Sequence, residues 1–306
     1  MIKEIKDNHL FWDGCDTVAL AKEFGTPLYV FSVTEIRTQC RAIREEFLSR
    51  YENTRAAYAS KAFNTLAMLR LIDEEGLSLD VVSGGELYTA IQAGFPAEQI
   101  EFNGNNKSID ELALAIDYGV GRIIVDGSQE IGLIRALCQE KQRKAKVMFR
   151  ITPEVNVQTH AFISTGQKDS KFGIPLDEEI LFPLIEEVID APEIDFYGLH
   201  FHIGSQLSDN HSHIAATEAA LALVLEIHHR FDYTVKELNV GGGFGVRYTE
   251  KDIRQPYSYF LDPVMATIET FCQAHQLQRP TVVIEPGRSI VAEAGISLHT
   301  IGTISY

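Results

Sequence analysis

Eight short apolar runs, each of strand length, recur between helical patterns from residue 55 to residue 285, and this alternation restricts the fold more than any other feature. The runs are RAAYAS (55–60), LSLDVV (77–82), QIEFN (99–103), RIIVD (122–126), KVMFRI (146–151), DFYGLHFHI (195–203), VKELNV (235–240) and TVVIE (281–285). An earlier strand-like run, PLYVFS (27–32), leads into a helix expected over about 33–50. Three of the helical stretches close on Gly76, Gly94 and Gly119, a usual C-terminal stop. Strict alternation calls for a parallel sheet covered by helices, and about 250 residues is the usual length of a closed (βα)8 barrel. An open doubly wound sheet alternates in the same way. The placement of the polar residues favours the α/β barrel.

Those residues sit at the end of each run or just beyond it: Lys61, Asp80 with Ser83-Gly84-Gly85, Asn103, Asp126, Arg150, His200 with His202, Gly241-Gly242-Gly243, and Glu285. In a barrel all eight strand ends meet on one face, where active sites lie. Residues far apart in the chain would therefore converge on one pocket. We expect 1–32 to be an N-terminal segment lending a strand to a β domain, 33–289 to be the barrel, and 290–306 to begin a second β domain. The chain closes on the apolar, strand-like AEAGISLHTIGTISY, an edge that would normally be paired, so a longer protein with a further domain is expected.

Charge and cysteine usage narrow the function classes. With 43 acidic against 27 basic residues the formal net charge is −16, and no run of Lys and Arg offers the basic footprint a nucleic acid needs. The start, MIKEIKDNHLFWDG, lacks the apolar stretch of a signal peptide, and no segment is apolar for long enough to cross a bilayer. Cys15, Cys40, Cys138 and Cys272 are scattered without metal-ligand spacing, as in a reducing compartment. A cytoplasmic enzyme of small molecules is the expectation, with neither nucleic acid nor membrane as partner.

Four places could carry chemistry. Lys61, in the apolar setting AAYASKAF, would become a nucleophile if desolvation kept its amine neutral, although a surface lysine on a βα loop has the same appearance. LNVGGGFG (238–245) puts three glycines directly after the seventh strand, where backbone N–H groups can cradle an anion; barrels commonly bind phosphate in the loops after strands seven and eight. In EPGRSI (285–290), Glu285 could keep a pyridine nitrogen protonated, Pro286 and Gly287 shape the turn, and Arg288 offers a fork to a carboxylate or phosphate; a Glu–Arg pair closing the barrel is the plain alternative. In HFHIGSQ (200–206), His200 and His202 share a strand face. They could ligate a metal with Asp80 or Asp126, pack in the core, or lie flat on an aromatic cofactor with Ser205 on its phosphate. The missing third histidine makes metal the weaker choice. His211, His213, His228 and His229 read as ordinary helix or surface residues. The long stretch 152–174 leaves the active face and suits a lid or an interface.

Together YASKAF (58–63), DVVSGGEL (80–87), RITP with ISTGQKDSKFGI (150–174), HFHIGSQ, NVGGGFGVRYTE (239–250) and EPGRSIVAEAG (285–295) resemble the diaminopimelate decarboxylases. These are barrel-type pyridoxal-phosphate enzymes related to the ornithine and arginine decarboxylases and, more distantly, to alanine racemase. The match covers nearly the whole chain in the family's order, and THAFISTG and GGGFGVRYTE are nearer the diaminopimelate branch than the ornithine branch. The resemblance implies that Lys61 carries pyridoxal phosphate, that His202 stacks on its ring and that Glu285 meets the pyridine nitrogen. Ser205, Gly242, Gly243, Pro286, Gly287 and Arg288 would surround the phosphate, with Arg288 also meeting a substrate carboxylate. Asp80, Glu86 and Arg150 would form a supporting polar network. It further implies a homodimer with shared active sites in the full-length protein. The family's second domain supplies a cysteine–glutamate motif, a substrate-binding Arg and Tyr, and a late tyrosine, none of which has a counterpart before Tyr306. Little or no decarboxylase activity is therefore expected of these 306 residues alone.

Overall fold

Strands buried on both faces should read as unbroken apolar runs, and the central strands do so. The computed structural model describes residues 2–153 and 172–304. Its barrel strands are β5 (Thr54–Ala59), β6 (Ser78–Val81), β7 (Ile100–Phe102), β8 (Arg122–Val125), β9 (Ala145–Thr152), β11 (Ile194–His200), β12 (Glu237–Asn239) and β13 (Thr281–Ile284). Each pairs in parallel with its neighbours in that order, and β13 returns to β5 through Val282–Thr54 and Ile284–Ala56. The sheet is therefore closed, which excludes the open doubly wound alternative. A two-residue strand, β10 (Ile174–Pro175), adds to the side of β9.

Helices α2 to α9 cover the barrel. Several begin on the side-chain cap that their sequence supplies: Ser32 before α2 (Val33–Ile43), Thr65 before α3 (Leu66–Glu74), Ser83 before α4 (Gly84–Ala93) and Ser108 before α5 (Ile109–Tyr118). Ser108 and Glu111 form a reciprocal capping box. Gly94 and Gly119 end α4 and α5 in the left-handed conformation, and Gly76 has φ +70° just beyond α3. The remaining long helices are α6 (Gln129–Lys141), α7 (Glu178–Asp190), α8 (His211–Phe231) and α9 (Tyr257–His275). The single helix expected over 33–50 is α2 followed by a wider turn, Arg44–Leu48, in which Ser49 N–H reaches the Arg44 carbonyl at 2.8 Å.

The first 32 residues hold more than the one strand expected. β1 (Lys3–Lys6), β2 (His9–Trp12) and β3 (Cys15–Asp16) form a small antiparallel sheet, and α1 (Thr17–Phe24) follows, capped by Asp16. These strands escape pattern reading because they are short and, in β1, wholly exposed. β4 (Leu28–Phe31) pairs antiparallel with β14 (Gly295–Leu298), so the apolar run near the end of the described chain does have a partner. Trp12 ties the first sheet to the start of β14, its indole N–H donating to the Ala294 carbonyl at 3.1 Å.

Candidate active site

At the C-terminal ends of the barrel strands lies a cavity of about 680 Å³, lined among others by Lys61, His202, Ser205, Gly243, Glu285, Gly287 and Arg288. Lys61 follows β5 in a short 3-10 turn, Ser60–Ala62, and its side chain opens onto the cavity. Two neighbours fix that turn. Glu86 Oε2 accepts from Ser60 Oγ at 2.7 Å and from the Val82 N–H at 2.9 Å, while Tyr58 Oη donates to the Phe63 carbonyl at 3.0 Å.

Lining the same cavity, Glu285 is buried with three donors converging on Oε1: His200 Nε2 at 2.9 Å, Asn239 Nδ2 at 2.9 Å and Asn103 Nδ2 at 3.3 Å. Burial alone would raise this carboxyl, but His200 and Lys61 outweigh it and hold the group down to about 2. Glu285 is thus a carboxylate at neutral pH. Asp80 is the reverse case: burial, with Glu285 close by, pushes its carboxyl well above the usual range, although Lys61 pulls the other way. Asn103 Nδ2 also reaches Asp80 Oδ1, at 3.1 Å.

His202 is held neutral, since burial and the positive charges of Lys61 and Arg150 all lower its proton affinity. Its Nδ1 accepts from the Gly242 N–H at 3.3 Å, which leaves the proton of the neutral ring on Nε2. The glycine turn is as tight as three residues without Cβ allow. A Cβ on Gly242 would stand 2.0 Å from the Glu285 carbonyl oxygen, and one on Gly243 2.4 Å from that of Gly204. Arg288 closes this side, donating from Nε to Ser205 Oγ at 3.0 Å and from Nη1 to Tyr248 Oη at 2.5 Å.

Asp80, Arg150, Gly242 and Pro286 stand behind the cavity wall. Arg150 is buried 3.5 Å from Asp126, with its guanidinium over the Phe172 ring. His200 and His202 do not act as a pair: one braces Glu285, the other faces the cavity. No group of three or more His, Cys, Asp or Glu able to hold a metal exists among the described residues. No described helix is long and apolar enough to cross a membrane. The expected lid or interface lies largely in residues 154–171, outside the described residues.

Three further participants escaped the sequence reading. His213, taken as an ordinary helix residue, is buried beneath the glycine turn with Nε2 2.9 Å from the Gly242 carbonyl. Tyr248 seats Arg288, and Asn239 links Glu285 to the barrel floor. The tyrosine and the asparagine stood inside the quoted NVGGGFGVRYTE, where flanking polar residues were the available signal.

The amine, the carboxylate in the same cavity and the Cβ-free cradle fit pyridoxal phosphate, which needs a group for its aldehyde, one for its ring nitrogen and donors for its phosphate. Residues 33–292 match the family model described as pyridoxal-dependent decarboxylase, pyridoxal binding domain. The chain belongs to the pyridoxal-dependent decarboxylases. Within that family it is 43% identical over 301 residues to the diaminopimelate decarboxylase of Bacillus subtilis, spanning 98% of this chain and 69% of that one. The crystal structure of diaminopimelate decarboxylase from Methanocaldococcus jannaschii superposes with a TM-score of 0.90 at 36% identity, covering 99% of this chain and 71% of that one. The same enzyme in complex with L-lysine gives 0.89 at 36% identity, covering 99% and 70%.

Proposed function

We propose that this decarboxylase converts meso-2,6-diaminopimelate to L-lysine and carbon dioxide, using pyridoxal phosphate carried on Lys61. The observation that supports it most is the gathering of Lys61, Glu285 and the Gly243, Gly287, Ser205 and Arg288 cradle around one cavity. The substrate rests on relatives named diaminopimelate decarboxylase, among them those at 43%, 43% and 41% identity over at least 96% of this chain.

When bound, the cofactor supplies an aldehyde for the substrate amine and an electron-poor ring for the electrons left behind as carbon dioxide departs. The residues of this chain do the rest. Lys61 Nζ would hold the cofactor by its aldehyde. Glu285, ionised and fixed by three donors, keeps a proton on the ring nitrogen. His202, neutral and turned by the Gly242 N–H, offers a flat uncharged face for stacking. Ser205, Arg288 and the turn amides bind phosphate, and the Arg288 fork also reaches a substrate carboxylate. The loss of carbon dioxide is balanced by uptake of one proton at the same carbon, which gives lysine. The polypeptide joins a second copy to form a homodimer with shared active sites in the cytoplasm.

Borohydride reduction of the cofactor-loaded chain, followed by peptide mapping, tests the attachment. Label on the peptide containing Lys61 is expected, and label elsewhere sinks the reading. Product assays with diaminopimelate, ornithine and arginine side by side test the substrate: turnover by these 306 residues is expected to be low, with lysine from diaminopimelate as its product.

A further inference from the structure

Four charged side chains fill the floor of the barrel, at the opposite ends of the strands from the cavity. Arg55 belongs to β5, Glu101 to β7, Arg122 to β8 and Glu237 to β12. Arg55 donates to Glu101 and, at 3.2 Å, to Glu237. Arg122 grips Glu237 through Nε at 2.8 Å and through Nη2. Both glutamates are buried. Two cations against two anions leave the group neutral, the condition under which ions can be kept out of water.

Asn239 carries this network up to the cavity. Fully buried, its Nδ2 donates to Glu101 Oε2 at 2.8 Å and to Glu285 Oε1 at 2.9 Å, so both amide hydrogens are engaged. Its Oδ1 accepts from the Gly241 N–H at 2.9 Å, and the Glu285 N–H donates to the Gly241 carbonyl at 2.8 Å. The four bonds form a closed ring with one tail, which ends on Glu101. A flipped amide would set oxygen against two carboxylates and nitrogen against an N–H, so only one orientation is allowed.

We propose that Glu101 and Asn239 are positioning residues for Glu285. The floor cluster anchors Glu101, Glu101 orients the Asn239 amide, and that amide holds the Glu285 carboxylate and the first residue of the glycine turn in one fixed relation. This inference rests on the reading of Glu285 as the partner of the cofactor ring nitrogen. Charge on the floor therefore reaches the ring through one amide, a buried path on which electrostatic effects are little screened. Asp80, His200, His202 and Lys61 also face Glu285, and all four stay unchanged in the variants proposed.

The test uses the full chain loaded with pyridoxal phosphate. The absorbance of the bound cofactor is titrated against pH, its Kd is measured by fluorescence, and Tm is recorded for each variant. Asn239→Asp removes a donor and adds an acid beside Glu285, so the absorbance midpoint moves up by roughly half a pH unit or more. Glu101→Gln removes a negative charge and moves the midpoint down. Each loosens the grip on Glu285, and Kd rises roughly 10-fold. Lower Tm with unmoved midpoint and Kd in both variants, or shifts of the same sign in both, overturns the proposal. If Glu101→Gln does not fold, the near-isosteric Asn239→Asp decides alone. Glu285→Gln separates the two layers. A parent-like midpoint there defeats the ring-nitrogen reading itself, whereas a moved midpoint with silent Asn239 and Glu101 variants defeats only the positioning role.

Discussion

His200 Nε2 stands 2.9 Å from Glu285 Oε1, with both side chains buried where their strands end. The pair is the main reason that a carboxyl out of water stays ionised, because burial works against it. Replacing His200 by Ala leaves Glu285 with its two asparagine donors but without its closest partner. A loss of about 3 kcal/mol or more in unfolding free energy at pH 7 is expected. Glu285 is depressed in the folded state, so its contribution is present above the unfolded carboxyl range and fades as pH falls towards about 2. The gap between parent and His200→Ala should therefore narrow in urea melts taken from pH 7 down to pH 3. A gap that widens on acidification would refute this account.

Close approach makes a second prediction. At Gly242 any side chain meets the Glu285 carbonyl, and no flexible group can move aside, since the contact is backbone. At Gly243 the clash is with the Gly204 carbonyl, on a residue whose φ is +93°. Gly242→Ala and Gly243→Ala should each weaken pyridoxal-phosphate binding by roughly 10-fold or more, through displacement of amides that need fixed positions. Gly127→Ala, with open space around its Cβ, serves as the silent control. Titration of cofactor fluorescence reads all three, and parent-like affinity in both turn variants would remove the turn from the phosphate site.

What the sequence exposed and what it hid follow from one physical distinction. Strand ends of a barrel converge by topology, so Lys61, His202, Glu285 and the glycines could be gathered on one face from order alone. Glu101, Arg55, Arg122 and Glu237 could not. A charged residue near the start of a short strand reads as a solvated edge, and only barrel closure brings β5, β7, β8 and β12 around one floor. His213 hid for a related reason. Its helix, α8, carries histidines at both ends, and only packing against the glycine turn separates the buried one from its exposed neighbours. The first three strands lacked the length that makes a period visible.

His213 itself gives a pH prediction. Burial lowers its proton affinity more than the Gly242 carbonyl restores it, so the ring is neutral in the fold. The unfolded chain binds a proton near pH 6.5 that the folded chain refuses, and stability therefore falls as pH drops below that value. His213→Gln keeps a donor for the Gly242 carbonyl and removes the titration. Urea unfolding between pH 7 and 5 should show a flatter dependence in the variant, and parallel curves would rule the assignment out.

Arg288 offers the opposite case, an exposed side chain whose removal should affect binding and leave folding alone. Its Nε and Nη1 are each committed, to Ser205 and Tyr248, and its guanidinium lies 5.9 Å from the Tyr248 ring centre. Two fixed contacts on a planar group aim the remaining N–H donors, a geometry that the single ammonium of lysine does not reproduce. Arg288→Lys should keep Tm within about 1–2 °C of the parent, as exposed substitutions away from packing usually do. Its Kd for pyridoxal phosphate should rise roughly 10-fold, because one charge-assisted contact contributes about 1.5–3 kcal/mol. Tyr248→Phe should give a smaller loss in the same direction, since it frees the fork without removing it. Were both variants to bind cofactor as the parent does, the phosphate would have to be held by Ser205 and the glycine amides alone, and Arg288 would be left to the substrate.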